Sequence, residues 1–170
     1  KIAAIYRPLN NRLLSGLLER RQANYGGDIF RKGREAALGM VSALRKGQVM
    51  CLLVDQQLRE GMPVPFFGHP AQTSVSHVKL AIRKKVPLMY MRTERLGGSR
   101  FRVRISPPVP LPDKDDDATI LAVAGQINAE IEGWIRAEPE QWFWPHRRWG
   151  KILPHSCLLY TSPSPRDPSI

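Results

Sequence analysis

Residues 49–54 read VMCLLV, an apolar run with no polar face. Such a run suits a strand buried on both sides, as in a mostly parallel sheet covered by helices. It stops at Asp55-Gln56-Gln57, so three polar groups stand where the strand leaves the sheet. Loops at the carboxyl ends of strands in open α/β sheets bind ligands readily, because the sheet holds them rigid. Asp55 is therefore the best single site candidate, although a polar cap on a strand end accounts for the same pattern. Residues 58–73 then read as a loop turned by Gly61, Pro63, Pro65 and Gly68. Phe66 and Phe67 in that loop call for an apolar partner or a place on the core.

The same patterning divides the rest of the chain. Residues 1–6 predict a strand, ended by Arg7-Pro8, and Asn10 can cap a helix carrying Leu13, Leu14, Leu17 and Leu18. Residues 33–46 predict a second helix with Ala36, Ala37, Met40, Val41 and Leu44 on one face and Gly47 as its stop. A third helix is expected from a Thr73 or Ser74 cap through Lys85, then a strand over residues 86–93 and a turn at Gly97-Gly98. In residues 100–106, Phe101, Val103 and Ile105 alternate with arginines, as in a half-exposed edge strand. The last helix starts in the acidic run 113–117, carries Ile120, Ala124, Ile127, Ile131 and Trp134, and ends at Pro139. Alternating helices and strands predict an α/β fold with a mixed, mostly parallel central sheet flanked by helices, incomplete at its N-terminus. Residues 1–152 read as part of one domain. From Pro154 onward the chain has no periodicity, with further prolines at 163, 165 and 168, and is expected to be disordered and non-native.

Charge adds a partner class. With 26 basic against 15 acidic residues the net charge is +11, which favours nucleic acid, anionic lipid or an acidic carrier protein. Many of these cations suit ordinary solvated faces. Two cysteines, Cys51 and Cys157, form no disulfide framework and fit a reducing compartment. No apolar run approaches the about 18 residues that span a bilayer. His69, His77, His146 and His155 lack ligand spacing, so no metal is expected, and no phosphate loop or dinucleotide fingerprint implies a cofactor.

Residues 138–149, EPEQWFWPHRRW, form the second unusual stretch. Its mixture of Trp142, Phe143, Trp144, His146, Arg147, Arg148 and Trp149 is compatible with covering a core, stacking on bases, or sitting at a membrane interface.

Three blocks now stand in order: YRPLNN at 6–11, DQQLREGMPVPFFGHPAQT at 55–73, and EPEQWFWPHRRW at 138–149. Together they resemble the bacterial lipid A biosynthesis acyltransferases, the lauroyl/myristoyl transferases within the lysophospholipid acyltransferase group, over residues 1–152. The resemblance implies a glycerolipid acyltransferase-like fold. It also implies transfer of a fatty acyl chain from acyl carrier protein to a hydroxyl of a lipid A precursor, at the cytoplasmic face of the inner membrane and without a covalent intermediate. In that family a His-x4-Asp/Glu pair is the general base. Here His69, His77, His146 and His155 are followed at the fifth place by Ser74, Ile82, Lys151 and Tyr160, so the expectation is a fragment starting after the pair and inactive without it.

The remaining roles carry over by position. Arg7 would meet an acceptor phosphate or developing negative charge, and Asp55 with Gln56 would bind the acceptor. Phe66, Phe67 and Gly68 would line the lipid side of the cleft, and Thr73 would cap the next helix. Gln141, Trp142, His146, Arg147 and Arg148 would close the fold and offer a cationic patch to lipid. The competing readings are a related acyltransferase with another glycolipid or phospholipid acceptor, and a basic nucleic-acid-binding module.

Overall fold

Two units are built from separate stretches of chain, Lys1–Leu53 and Val54–Ile170. The computed structural model describes residues 1–6, 16, 26–31 and 33–150. Arg7, the helix expected after Asn10 and the tail from residue 151 lie outside the described residues.

In the first unit, β1 (Ile2–Tyr6) runs between β2 (Ile29–Arg31) and β3 (Val49–Cys51), parallel to both. Helix α1 (Arg34–Arg45) packs on this sheet through Ala36, Met40 and Ala43, each less than a tenth exposed. The expected stop holds. The Gly47 amide bonds Leu44 O at 3.0 Å and the Gln48 amide bonds Ala43 O at 3.0 Å, closing the last carbonyls in a Schellman pattern. The central strand is shorter than its apolar run predicts, and it is not buried on both faces. It ends at Cys51, and Val49 is 59% and Leu53 84% exposed. Among the described residues α1 packs against all three strands of this sheet.

The second unit departs further from a single central sheet. Residues 58–73, read as a loop, contain a hairpin of β4 (Met62–Phe66) and β5 (His69–Thr73). Phe67 (φ 49°) and Gly68 (φ 75°) both adopt left-handed backbone at its turn, the geometry that matches the twist of a two-residue hairpin. Pro65 and Pro70 face each other across the ladder. That pair is next to the one flanking the turn and is a non-hydrogen-bonded pair, so the missing proline amides cost the ladder no bond. Asn128 Nδ2 donates to Pro65 O at 2.9 Å and Trp149 Nε1 to Phe66 O at 3.0 Å.

Helix α2 (Ser76–Lys84) follows, and then a second hairpin of β6 (Met91–Gly97) and β7 (Arg100–Ile105). The turn falls at Gly97-Gly98 as expected, but β6 starts five residues later than the strand predicted from Val86, and all six β7 positions are exposed. The alternation is present with its sense reversed. Arg92 and Glu94 lie on the face turned inward, while Met91, Val103 and Ile105 face out. The long helix α3 (Asp117–Ala137) starts at Asp116, whose Oδ1 accepts the Thr119 amide at 2.8 Å. Its stripe of Ile120, Val123, Ile127, Ile131 and Ile135 forms the core with Phe66, Ala71, Val78 and Ile82. The described residues thus form a mixed α/β fold with one small parallel sheet and two antiparallel hairpins. No described helix is long and apolar enough to cross a membrane.

Candidate functional site

Asp55 and Gln57 are half-buried and Gln56 is exposed, on a loop that leads into the β4–β5 hairpin. The loop is fastened at successive residues. The Gln57 amide donates to His146 Nε2 at 2.8 Å, and the Leu58 amide to Gln72 O at 3.1 Å. Gly61 packs where a Cβ would stand 2.4 Å from Thr73 O, so no larger residue fits against the hairpin there.

Arg148 is the largest fully buried side chain among the described residues, 1% exposed. Its guanidinium lies in the core under the hairpin. Nη1 donates to Gln72 O at 3.0 Å, and Nη2 to Thr73 Oγ1 at 2.7 Å and Asn128 Oδ1 at 3.4 Å. The cation also sits 5.0 Å from the Phe66 ring centroid. Burial pushes the Arg148 pKa down from its ordinary value, and the negative charge of Asp55 opposes that shift. Arg148 Nε and Asp55 Oδ1 are both buried without a hydrogen-bond partner among the described residues. A similar orphan is His77 Nε2; desolvation lowers the pKa of that histidine to about 4, so it is neutral at pH 7.

This arrangement revises several expected roles. Arg148 has no exposed face for a head group, because neutral oxygens and an aromatic ring enclose it. Thr73 does not cap α2, which has Val75 at its N-cap position; its hydroxyl donates to Ala71 O at 2.8 Å and accepts from Arg148. Phe66 lies in the core between Trp142 and Trp149, at centroid distances of 6.0 and 5.5 Å. Phe67 is covered by Arg136, 4.7 Å above its ring, while Gly68 is exposed at the hairpin tip. Gln141 Oε1 accepts the Arg95 amide at 2.8 Å, tying the block to β6. Phe143, Trp144 and Arg147 remain exposed.

Asn128 and Gly150 carry no signal in the sequence. Asn128 occupies the buried stripe of α3, and only its partners, Pro65 O and Arg148, explain a polar residue there. Gly150 lies so close to Gln57 that a Cβ would stand 2.1 Å from its Nε2. A separate cavity of about 400 Å³, lined by Tyr90, Arg92, Arg104, Ser106, Glu130 and Trp134, lies between the second hairpin and α3 and includes no anticipated residue.

The family described as bacterial lipid A biosynthesis acyltransferase matches residues 1–151. The lipid A biosynthesis palmitoleoyltransferase of Escherichia coli (strain K12) is 30% identical over 149 residues, which are 85% of this chain and 47% of that protein. A lipid A biosynthesis acyltransferase of Haemophilus influenzae is 29% identical over 151 residues, 85% of this chain and 46% of that protein. The lauroyltransferase of Escherichia coli (strain K12) is 28% identical over 148 residues, again 85% and 47%. The chain spans about half the length of the curated relatives it matches.

Proposed function

The chain belongs to the bacterial lipid A biosynthesis acyltransferases, and from that membership we propose that it serves transfer of a fatty acyl group from acyl carrier protein to a hydroxyl of a lipid A precursor. In this reading Asp55 and Gln56 bind the acceptor, and the His/acid base is not among these residues, since no histidine here is followed at the fifth place by Asp or Glu. The observation that carries the reading is the meeting of two sequence blocks 89 residues apart, where His146 accepts the Gln57 amide beside Asp55. A loop fixed this way presents a carboxylate at low cost in reorganisation, as binding of a hydroxyl requires. The net charge of +11 suits an acidic carrier and anionic lipid. Exposed Phe143, Trp144 and Arg147 suit contact with the cytoplasmic face of the inner membrane.

Salt separates this reading from a nucleic-acid module. Binding of the chain to a phosphorylated lipid A precursor in detergent micelles is expected to persist from 50 to 200 mM salt, because apolar contacts contribute. Binding held by backbone phosphates would fall by about 10³-fold or more over that range. Equilibrium titration checks this. Steeply salt-dependent binding to duplex DNA, with none to the lipid precursor, would contradict the acyltransferase reading.

A further inference from the structure

Among the described residues nothing hydrogen-bonds Asp55 Oδ1, which is buried, so its placement is inherited from the backbone that follows. That backbone is gripped two residues on. The Gln57 amide donates to His146 Nε2, so that nitrogen offers its lone pair and the ring proton is on Nδ1. On its side chain, Gln57 meets Gly150, whose left-handed backbone (φ 65°) and missing Cβ permit the approach.

The gripping segment is itself anchored. The Arg148 amide bonds His146 O at 2.9 Å and the Gly150 amide bonds Arg147 O at 3.1 Å, so residues 146–150 form a run of tight turns. Between the two contacts on Gln57, the Arg148 side chain is fixed in the core through Gln72 O and Thr73 Oγ1. Gln72 O also accepts the Leu58 amide, so the loop and its clamp share one anchor.

We propose that His146 is a positioning residue for acceptor binding: through the Gln57 amide it sets the loop that carries Asp55. The proposal rests on reading Asp55 as an acceptor-binding residue. It assigns His146 neither proton transfer nor contact with lipid. A half-buried imidazole that accepts a backbone amide across 89 residues is spent on geometry.

Three variants of the whole chain test it: His146→Ala, His146→Gln and Asp55→Asn. The readouts are hydrogen exchange at the Gln57 amide, affinity for a phosphorylated lipid A precursor in micelles, and melting temperature. His146→Ala is expected to speed exchange at Gln57 and weaken precursor binding about tenfold, the effect of one lost bond to a buried amide. His146→Gln, whose Oε1 supplies an acceptor, is expected to restore most of both. Asp55→Asn is expected to weaken binding while leaving Gln57 exchange unchanged. If Asp55→Asn weakens binding but His146→Ala speeds exchange without affecting affinity, His146 is structural only and the proposal is overturned. If Asp55→Asn leaves binding intact, the acceptor reading of the loop fails first and the proposal with it. Should His146→Ala unfold, His146→Gln decides alone: slow exchange at Gln57 with lost binding overturns the proposal, and slow exchange with near-normal binding supports it.

Discussion

Arg148→Ala is expected to destabilise the protein by about 3–5 kcal/mol, through buried oxygens left short of a donor and the cavity left by a large buried side chain. The side chain satisfies Gln72 O, Thr73 Oγ1 and Asn128 Oδ1, and it stands near the charge of Asp55. Its loss leaves those oxygens buried with fewer donors or none, and opens a cavity beneath Phe66. Against a typical total of about 5–15 kcal/mol, that is a large share. Urea denaturation of the variant beside Arg147→Ala measures it, because Arg147 is exposed and its loss is expected to cost within about 0.5 kcal/mol. Equal small effects at the two positions would mean that Arg148 is a surface cation after all.

Asp55→Asn is expected to reduce acyl transfer about a hundredfold at a smaller cost in stability than Arg148→Ala, since the buried Arg148 cation loses only a nearby charge and no hydrogen-bond partner. The substitution keeps shape and removes charge, and among the described residues Oδ1 has no hydrogen bond to lose. A single charged hydrogen bond to a reacting hydroxyl or its neighbours contributes on the order of 3 kcal/mol to the barrier, which is about two decades in rate. Kinetics on a transfer-competent form, together with a melting curve, check both halves. A normal rate would remove Asp55 from the site, and a collapsed melting temperature would make it a structural cap.

The described α-helices were legible in the sequence and their long-range polar partners were not. The stripe of Ile120, Ala124, Ile127 and Ile131 reads directly as the buried face of α3, because helical periodicity is a local property. Asn128 on that stripe is silent, since its need for a polar group arises from Pro65 and Arg148, far away in sequence. Arg147 and Arg148 look alike in the chain, yet one is exposed and the other buried, a difference set by tight turns and by oxygens on β5 and α3. The prolines of residues 62–70 argued for a loop, and a two-stranded ribbon accommodates Pro65 and Pro70 because they face each other where the ladder makes no hydrogen bond. The candidate loop was visible at Asp55 as an abrupt polar stop after an apolar run. What holds that loop, His146 on the Gln57 amide, became visible only with the fold.

Acyl transfer itself is the most direct measurement. The chain is joined to a preceding segment that bears a His-x4-Asp/Glu pair, and given a fatty acyl thioester of acyl carrier protein with a phosphorylated lipid A precursor. Mass spectrometry follows the precursor. A mass gain of one acyl group is expected with the joined protein and none with the chain alone, whose histidines lack the paired acid. A precursor left unacylated by the folded, joined protein, or acylated equally well by the chain alone, would contradict that expectation.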